Sequence, residues 1–169
     1  MFNMSLYSGP HGSLTLSDPN GLDTPDIFSE YFGESGAVAR VVNVGIHVTT
    51  QVHPFYEMGS RLPTELRAGN IAIAGSVERA YINGALLRMM LGAYGVAEES
   101  PGLAVPSFNM KLILDNLRPA GDDGNSLLTV YGVTFDSWQW NLPEADFCME
   151  RLSFRARRLA LVDNPVPQA

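Results

Sequence analysis

The residues able to carry chemistry are few, and most stand alone. His11, His47 and His53 are either far apart or alternate on one strand and its exit. A zinc centre needs about four nitrogen, sulfur or oxygen ligands within bonding range. Neither a cysteine pair nor a carboxylate cluster completes a set around these histidines, so a structural role is expected and no metal. Cys148 is the only cysteine; it can form no intrachain disulfide, and with no motif around it an inert thiol is expected. The Gly12-Ser13 and Gly75-Ser76 pairs lack the Gly-x-Ser-x-Gly elbow of a nucleophilic serine. Phosphate-cradling glycine loops are absent. Asp122-Asp123 lies in a turn without the further oxygens calcium requires. No catalytic constellation and no cofactor are expected.

The charged residues say more. Glu78 and Arg79 are neighbours on one predicted strand and therefore face opposite ways. Glu78 points to a face of small residues, Ala72, Ala74 and Ser76. Arg79 shares its face with Ile73 and Val77, where an unpaired charge would cost several kcal/mol. Its partner is a carboxylate of this chain or of a neighbouring one, unless its stem carries the charge out to water. Arg151, Arg155 and Arg157 form a row on a late strand, suited to acidic partners or to phosphates.

These side chains must be positioned by strands, because the dominant hydrophobic period is two. Residues 37–52 alternate Val38, Val42, Val44, Ile46 and Val48, with Arg40 as the exception on that face, against Asn43, Gly45, His47 and Thr49, and Pro54 is expected to stop the strand. Residues 55–69 are predicted as a loop carrying Glu57, Arg61, Glu65 and Arg67; irregular stretches this long are commonly contact loops. A strand over 70–82 follows, with Ile71, Ile73, Val77 and Tyr81 on one face. Asn83 can then cap a short helix whose Leu86, Leu87, Met89, Met90 and Leu91 form an apolar stripe, ended by Gly92. So short a helix needs a sheet to pack on.

Beyond a Gly/Pro-rich connection over 93–107, Phe108, Met110, Leu112 and Leu114 alternate with Asn109, Lys111 and Asp115. A turn over 121–125 returns the chain into a strand over 126–136, making an antiparallel hairpin. Trp138 and Trp140 follow at strand spacing. The last strand, 150–162, loses its alternation at Arg158, as a bulge or register change would require, and 163–169 form a short tail. Residues 1–37 read as irregular, with turns at Gly9-Pro10, Asp18 to Gly21 and Thr24-Pro25, and one helical turn at Asp26 to Phe32 whose apolar groups seek cover.

The chain has 169 residues, 46% of them hydrophobic and 17% charged, with 16 glycines and 11 prolines. That fits one turn-rich globular domain spanning 1–169. The predicted class is α+β and mostly β: antiparallel sheets in a sandwich or half-barrel with one short helix packed on it. No stretch approaches the roughly 20 apolar residues of a membrane helix, and the N-terminus lacks the pattern of a signal peptide. A cytoplasmic protein with no membrane partner is expected. The net charge of −7 is uneven, since residues 1–39 hold five acids and no Lys or Arg. A protein that grips DNA is normally basic.

The segments GSR, LP, TELRAGNIAI and GSVERAYINGALLRMMLG, in order between Gly59 and Gly92, resemble the tail tube proteins of tailed bacteriophages and the related inner tubes of contractile injection machines. The likeness extends over the element order from 38 to 162 and is thin in the first 37 residues. It implies homohexameric rings, whose inner sheets join edge to edge into a continuous β-barrel, stacked into a tube in the tail of a virion assembled in the host cytoplasm. DNA would pass through without tight binding, and a tail sheath, a baseplate or tail tip, and a tail terminator would be partners.

On that reading Glu57, Arg61, Glu65, Arg67, Arg79, Arg151, Arg155 and Arg157 are candidates for subunit contacts. Glu78, Asn109 and Asp115 are candidates for an acidic channel wall. The alternatives are the inner tube of an injection or cell-killing machine without DNA cargo, and a small-ligand-binding β-barrel.

Overall fold

The computed structural model describes residues 12–17, 37, 38, 40–91, 107–116 and 124–164. In chain order these form β1 (Gly12–Ser17), β2 (Val41–Phe55), β3 (Glu65–Ala80), α1 (Ala85–Leu91), β4 (Phe108–Asn116), β5 (Gly124–Asn141), β6 (Met149–Ala156) and β7 (Arg158–Asn164). The sheet path is β1-β4-β5-β6-β3-β2, with β7 also on β5, and every named pairing is antiparallel.

β5 belongs to two layers. Its first half pairs with β4 and β7, and its second half with β6. The chain therefore makes one four-stranded sheet, β2-β3-β6-β5, and a second, β1-β4-β5-β7, curled around one core into a half-barrel. The bend in β5 lies at Gly132, whose φ of 62° is open to glycine at little cost. Asn109 Oδ1 accepts from the Gly132 amide at 3.3 Å, and the Arg157 amide donates to the Tyr131 carbonyl at 3.0 Å. β6 and β7 are thus one ribbon broken at Arg157, opposite the bend.

Alternation fills the space between the layers. Val77, Leu152, Phe154 and Phe135 come from the first sheet; Leu14, Leu16, Phe108, Met110, Val130 and Val133 come from β1, β4 and β5. Phe108 and Phe135 pack ring on ring at 4.8 Å across the layers. α1 adds Ala85, Leu86 and Met89 to the same core, with Met90 beside it. Asn83 Oδ1 accepts from the Ala85 amide at 3.2 Å, so the expected capping residue does its work.

Several boundaries differ from the sequence expectation. β1 is a strand inside the stretch read as irregular; Leu14 and Leu16 are buried against β4. β2 continues through Pro54, which is tolerated because β2 is an edge strand among the described residues. The predicted 55–69 loop is only the turn between Phe55 and Glu65, since Glu65 to Asn70 belong to β3. Ser60 donates its amide to the Glu57 carbonyl across Gly59, whose φ is 88°. β3 ends at Ala80 rather than Ile82, β5 runs unbroken through Trp138 and Trp140, and the last break falls at Arg157 rather than Arg158. The expected turns in 1–37, the helical turn at Asp26 to Phe32, His11, Gly92, most of the 93–107 connection, Asp122-Asp123 and the tail beyond Asn164 lie outside the described residues.

Gly75 supplies a test of this packing. A Cβ there would stand 2.3 Å from the Gly45 carbonyl oxygen and 2.4 Å from Phe154 Cζ. The oxygen is backbone and cannot swing away. Gly75→Ala is therefore expected to cost about 1–3 kcal/mol, as overpacked cores do, read as a lower urea midpoint; an unchanged midpoint would contradict this packing.

Candidate assembly surface

Arg79 is 2% exposed, and Glu150, directly opposite it on β6, is 0% exposed. Arg79 Nε donates to Glu150 Oε1, while Trp138 Nε1 donates to Glu150 Oε2 at 2.9 Å. Arg79 Nη2 donates to the Asn83 carbonyl at 3.1 Å and to Asn83 Oδ1 at 3.3 Å. Arg79, expected as a candidate for a subunit boundary, is instead committed within its own chain. The sequence showed its apolar face; it did not show Glu150, because the pair spans 71 residues.

The other face of the β2-β3-β6-β5 sheet is polar, and strand register orders it into rows across the sheet. One row is Asn43, Glu78, Arg151 and Gln139; the next is Gly45, Ser76, Ser153 and Ser137. Opposed side chains in such rows stand about 4.5–5.5 Å apart at Cβ. Beyond them Arg155 Nε donates to Asp136 Oδ2 at 3.3 Å. Glu78, Arg151 and Arg155, expected in different roles, thus share one face, and Asp136 joins them unforeseen because a β5 register shift presents it. Asn109 and Asp115 lie on β4 in the other sheet, and Asn109 serves the bend at Gly132. Arg157 stands at the β6–β7 break, its stem over Gly132.

Glu57, Arg61, Glu65 and Arg67 lie together on a projecting arm. β6 meets β3 only from Ile73 onward, so the rest of the β2–β3 hairpin extends as a two-stranded ribbon. Arg67 pairs with Glu65 at 3.0 Å in the open, where such pairs contribute little. No group of His, Cys, Asp or Glu among the described residues could hold a metal ion. His47 instead meets the Thr49 hydroxyl at 2.9 Å.

Two strand edges of this sheet are open among the described residues: the outer side of β2, and β5 beyond Val133, where β4 ends. Since β2, β3, β6 and β5 alternate in direction, the two free edges run oppositely.

No protein-family model and no curated protein sequence matches the chain. Solved structures do. The tube-terminating cap of the anti-feeding prophage superposes with a TM-score of 0.67 at 9% identity, covering 97% of this chain and 95% of that one. A chain of the sheath–tube complex of PVC, an extracellular contractile injection system, gives 0.63 at 10% identity, covering 96% and 93%. The SPP1 tail tube gives 0.60 at 7% identity, covering 94% and 80%. The chain shares the fold of tail tube and tube-terminating proteins from phages and contractile injection systems.

The buried pair yields the test of this region. Glu150→Ala leaves Arg79 charged and unpaired, at an expected cost of about 3–5 kcal/mol. Replacing both partners, Arg79→Met with Glu150→Leu, should recover most of it. Denaturant midpoints of the three proteins measure this; a double variant as weak as Glu150→Ala would show that the pair is not the source.

Proposed function

We propose that this chain is a structural subunit of a tail-like tube, forming rings that stack around a central channel. The observation that carries the reading is the pair of open, oppositely directed edges on one sheet. Rotating one copy about a ring axis sets β5 of that copy beside β2 of the next in antiparallel sense, which continues the ladder without a break. Closure of that kind removes the aggregation-prone edges that an isolated protomer would leave. The resemblance in sequence and the shared fold favour six copies per ring. They also favour a sheath, a tail tip or baseplate, and a terminator as partners in a particle's tail.

The polar face of the joined sheets would line the channel. Of the candidates named from sequence, Glu78 belongs to this face and Asn109 and Asp115 do not. Glu78 and Asp136 stand beside Arg151 and Arg155, so the wall we propose is charge-balanced rather than acidic. Duplex DNA carries one negative charge per roughly 1.7 Å; a balanced wall with a row of serines offers it no net attraction. DNA passage in a phage tail is the reading we favour. The likeness to injection-system components also supports an inner tube carrying another cargo.

Purified protein should show rings and, at high concentration, tubes by negative-stain microscopy. A monomer by light scattering at every concentration, with no rings, would sink the reading. Wild-type protein should not shift duplex DNA in a gel at about 0.15 M salt. Glu78→Gln with Asp136→Asn unmasks both arginines and should give DNA binding that weakens steeply as salt rises. Equal behaviour of the two proteins would contradict a wall balanced by these acids.

A further inference from the structure

Asn83-Gly84 is one of two Asn-Gly pairs in the chain; the other, Asn20-Gly21, lies outside the described residues. In such a pair the glycine amide nitrogen can close on the asparagine side chain, because no Cβ stands in its way. Packing does not require this glycine. Its φ is not positive, and among the described residues an added Cβ would meet only Tyr81 Oη, at 4.0 Å. Both halves of Asn83 are nevertheless held. Arg79 Nη2 donates to the main-chain carbonyl at 3.1 Å and to Oδ1 at 3.3 Å, and the Ala85 amide donates to Oδ1 at 3.2 Å. The Asn83 carbonyl and the Gly84 nitrogen share one peptide plane, so a grip on the oxygen is also a grip on the nitrogen.

We propose that Asn83-Gly84 is a latent site of spontaneous backbone modification, kept closed by Arg79. The reaction needs only water. The Gly84 amide nitrogen loses its proton and bonds to Asn83 Cγ; the Cγ–Nδ2 bond breaks, and ammonia departs with a proton, leaving a succinimide ring. Water then opens the ring at either carbonyl, giving aspartate or isoaspartate. Closure demands that the Asn83 side chain and the following peptide plane rotate towards each other. One guanidinium, itself fixed by Glu150 inside the sheet, opposes both rotations. Donors on Oδ1 would also steady the charge that develops there, but only after those rotations have brought nitrogen and carbon together. The rotations therefore decide the rate. Isoaspartate would lengthen the main chain between β3 and α1, undoing the cap on Ala85 and shifting Leu86 and Met89 in the core. None of this depends on assembly into a tube.

Ageing the protein in mildly alkaline buffer tests this. Tandem mass spectrometry reads the fraction of Asn83 converted, and an isoaspartate methyltransferase assay reads the product. Native protein should convert Asn83 roughly tenfold or more slowly than the same chain unfolded in guanidinium chloride, a difference of about 1.4 kcal/mol in barrier. Equal rates would overturn the proposal. A faster native rate would overturn it too, since the guanidinium would then be activating the side chain. In folded Arg79→Met with Glu150→Leu, conversion should rise several-fold above wild type, and adding Gly84→Ala should abolish the rise. Arg79→Lys keeps a charge beside Glu150 but lacks the planar fork, and should raise conversion without emptying the pair. Folded variants that convert no faster than wild type would reject Arg79 as the guard. A rise that survives Gly84→Ala would reject ring closure through the Gly84 nitrogen.

Discussion

The buried Arg79–Glu150 pair is the constraint on which the rest of the first sheet depends. Ion pairs taken out of water often stabilise little, since desolvation offsets their attraction. Their effect here is on register. Arg79 and Glu150 stand directly opposite on β3 and β6, and a slip of one residue would turn one of them to the polar face and strand the other. Trp138 fixes the second carboxylate oxygen from β5, so three strands are held in one alignment. The same guanidinium grips Asn83, which caps α1, so the pair also sets where the chain leaves the sheet. The polar rows on the opposite face exist only in that register.

Legibility in the sequence followed how local each determinant is. The strand over residues 70–80 and the helix after Asn83 were readable because period-two and period-3.6 patterns act over a few residues. Arg79's apolar face was readable for the same reason. Its partner was not, because a carboxylate 71 residues away leaves no local trace. β1 was missed although Leu14 and Leu16 alternate with Ser13, Thr15 and Ser17; the many turn residues around it outweighed so short a run. Pro54 misled in the other direction, since its effect depends on whether a strand is central or at an edge. Half of the apparent 55–69 loop is strand, hidden because the Leu66 and Ala68 alternation falls out of step with Ile71 and Ile73 at the register shift between them, on a ribbon with no core of its own.

Placement of the charged residues was the least legible part. Strand alternation and the family resemblance point Glu78 to a channel wall and Arg151 to a subunit contact, yet the two are cross-strand neighbours. Strand parity says which residues share a face of one strand; only register says which strands share it. Asn109 makes the same point from the other layer: its alternation on β4 is real, but β4 belongs to the other sheet, where its side chain accepts from the Gly132 amide.

An edge strand is ordinarily protected by charge, proline or a covering segment. Here β2 carries Pro54 near its far end, but the length between Val41 and His53 has no such guard, and β5 beyond Val133 is likewise open among the described residues. Among the described residues, exposed apolar groups gather mainly at the two ends of that same sheet, with Leu161 and Val162 on β7 as exceptions. A monomer selected for solubility would have blunted both features. Edges that can continue one another sideways, and overhangs that can cover one another lengthwise, constrain assembly along two perpendicular directions. In the tube we propose, a ring would use the first and a stack of rings the second. The first demand falls on β2 and β5 and the second on the ends of the same sheet, while the second layer and α1 serve chiefly to hold those strands in shape.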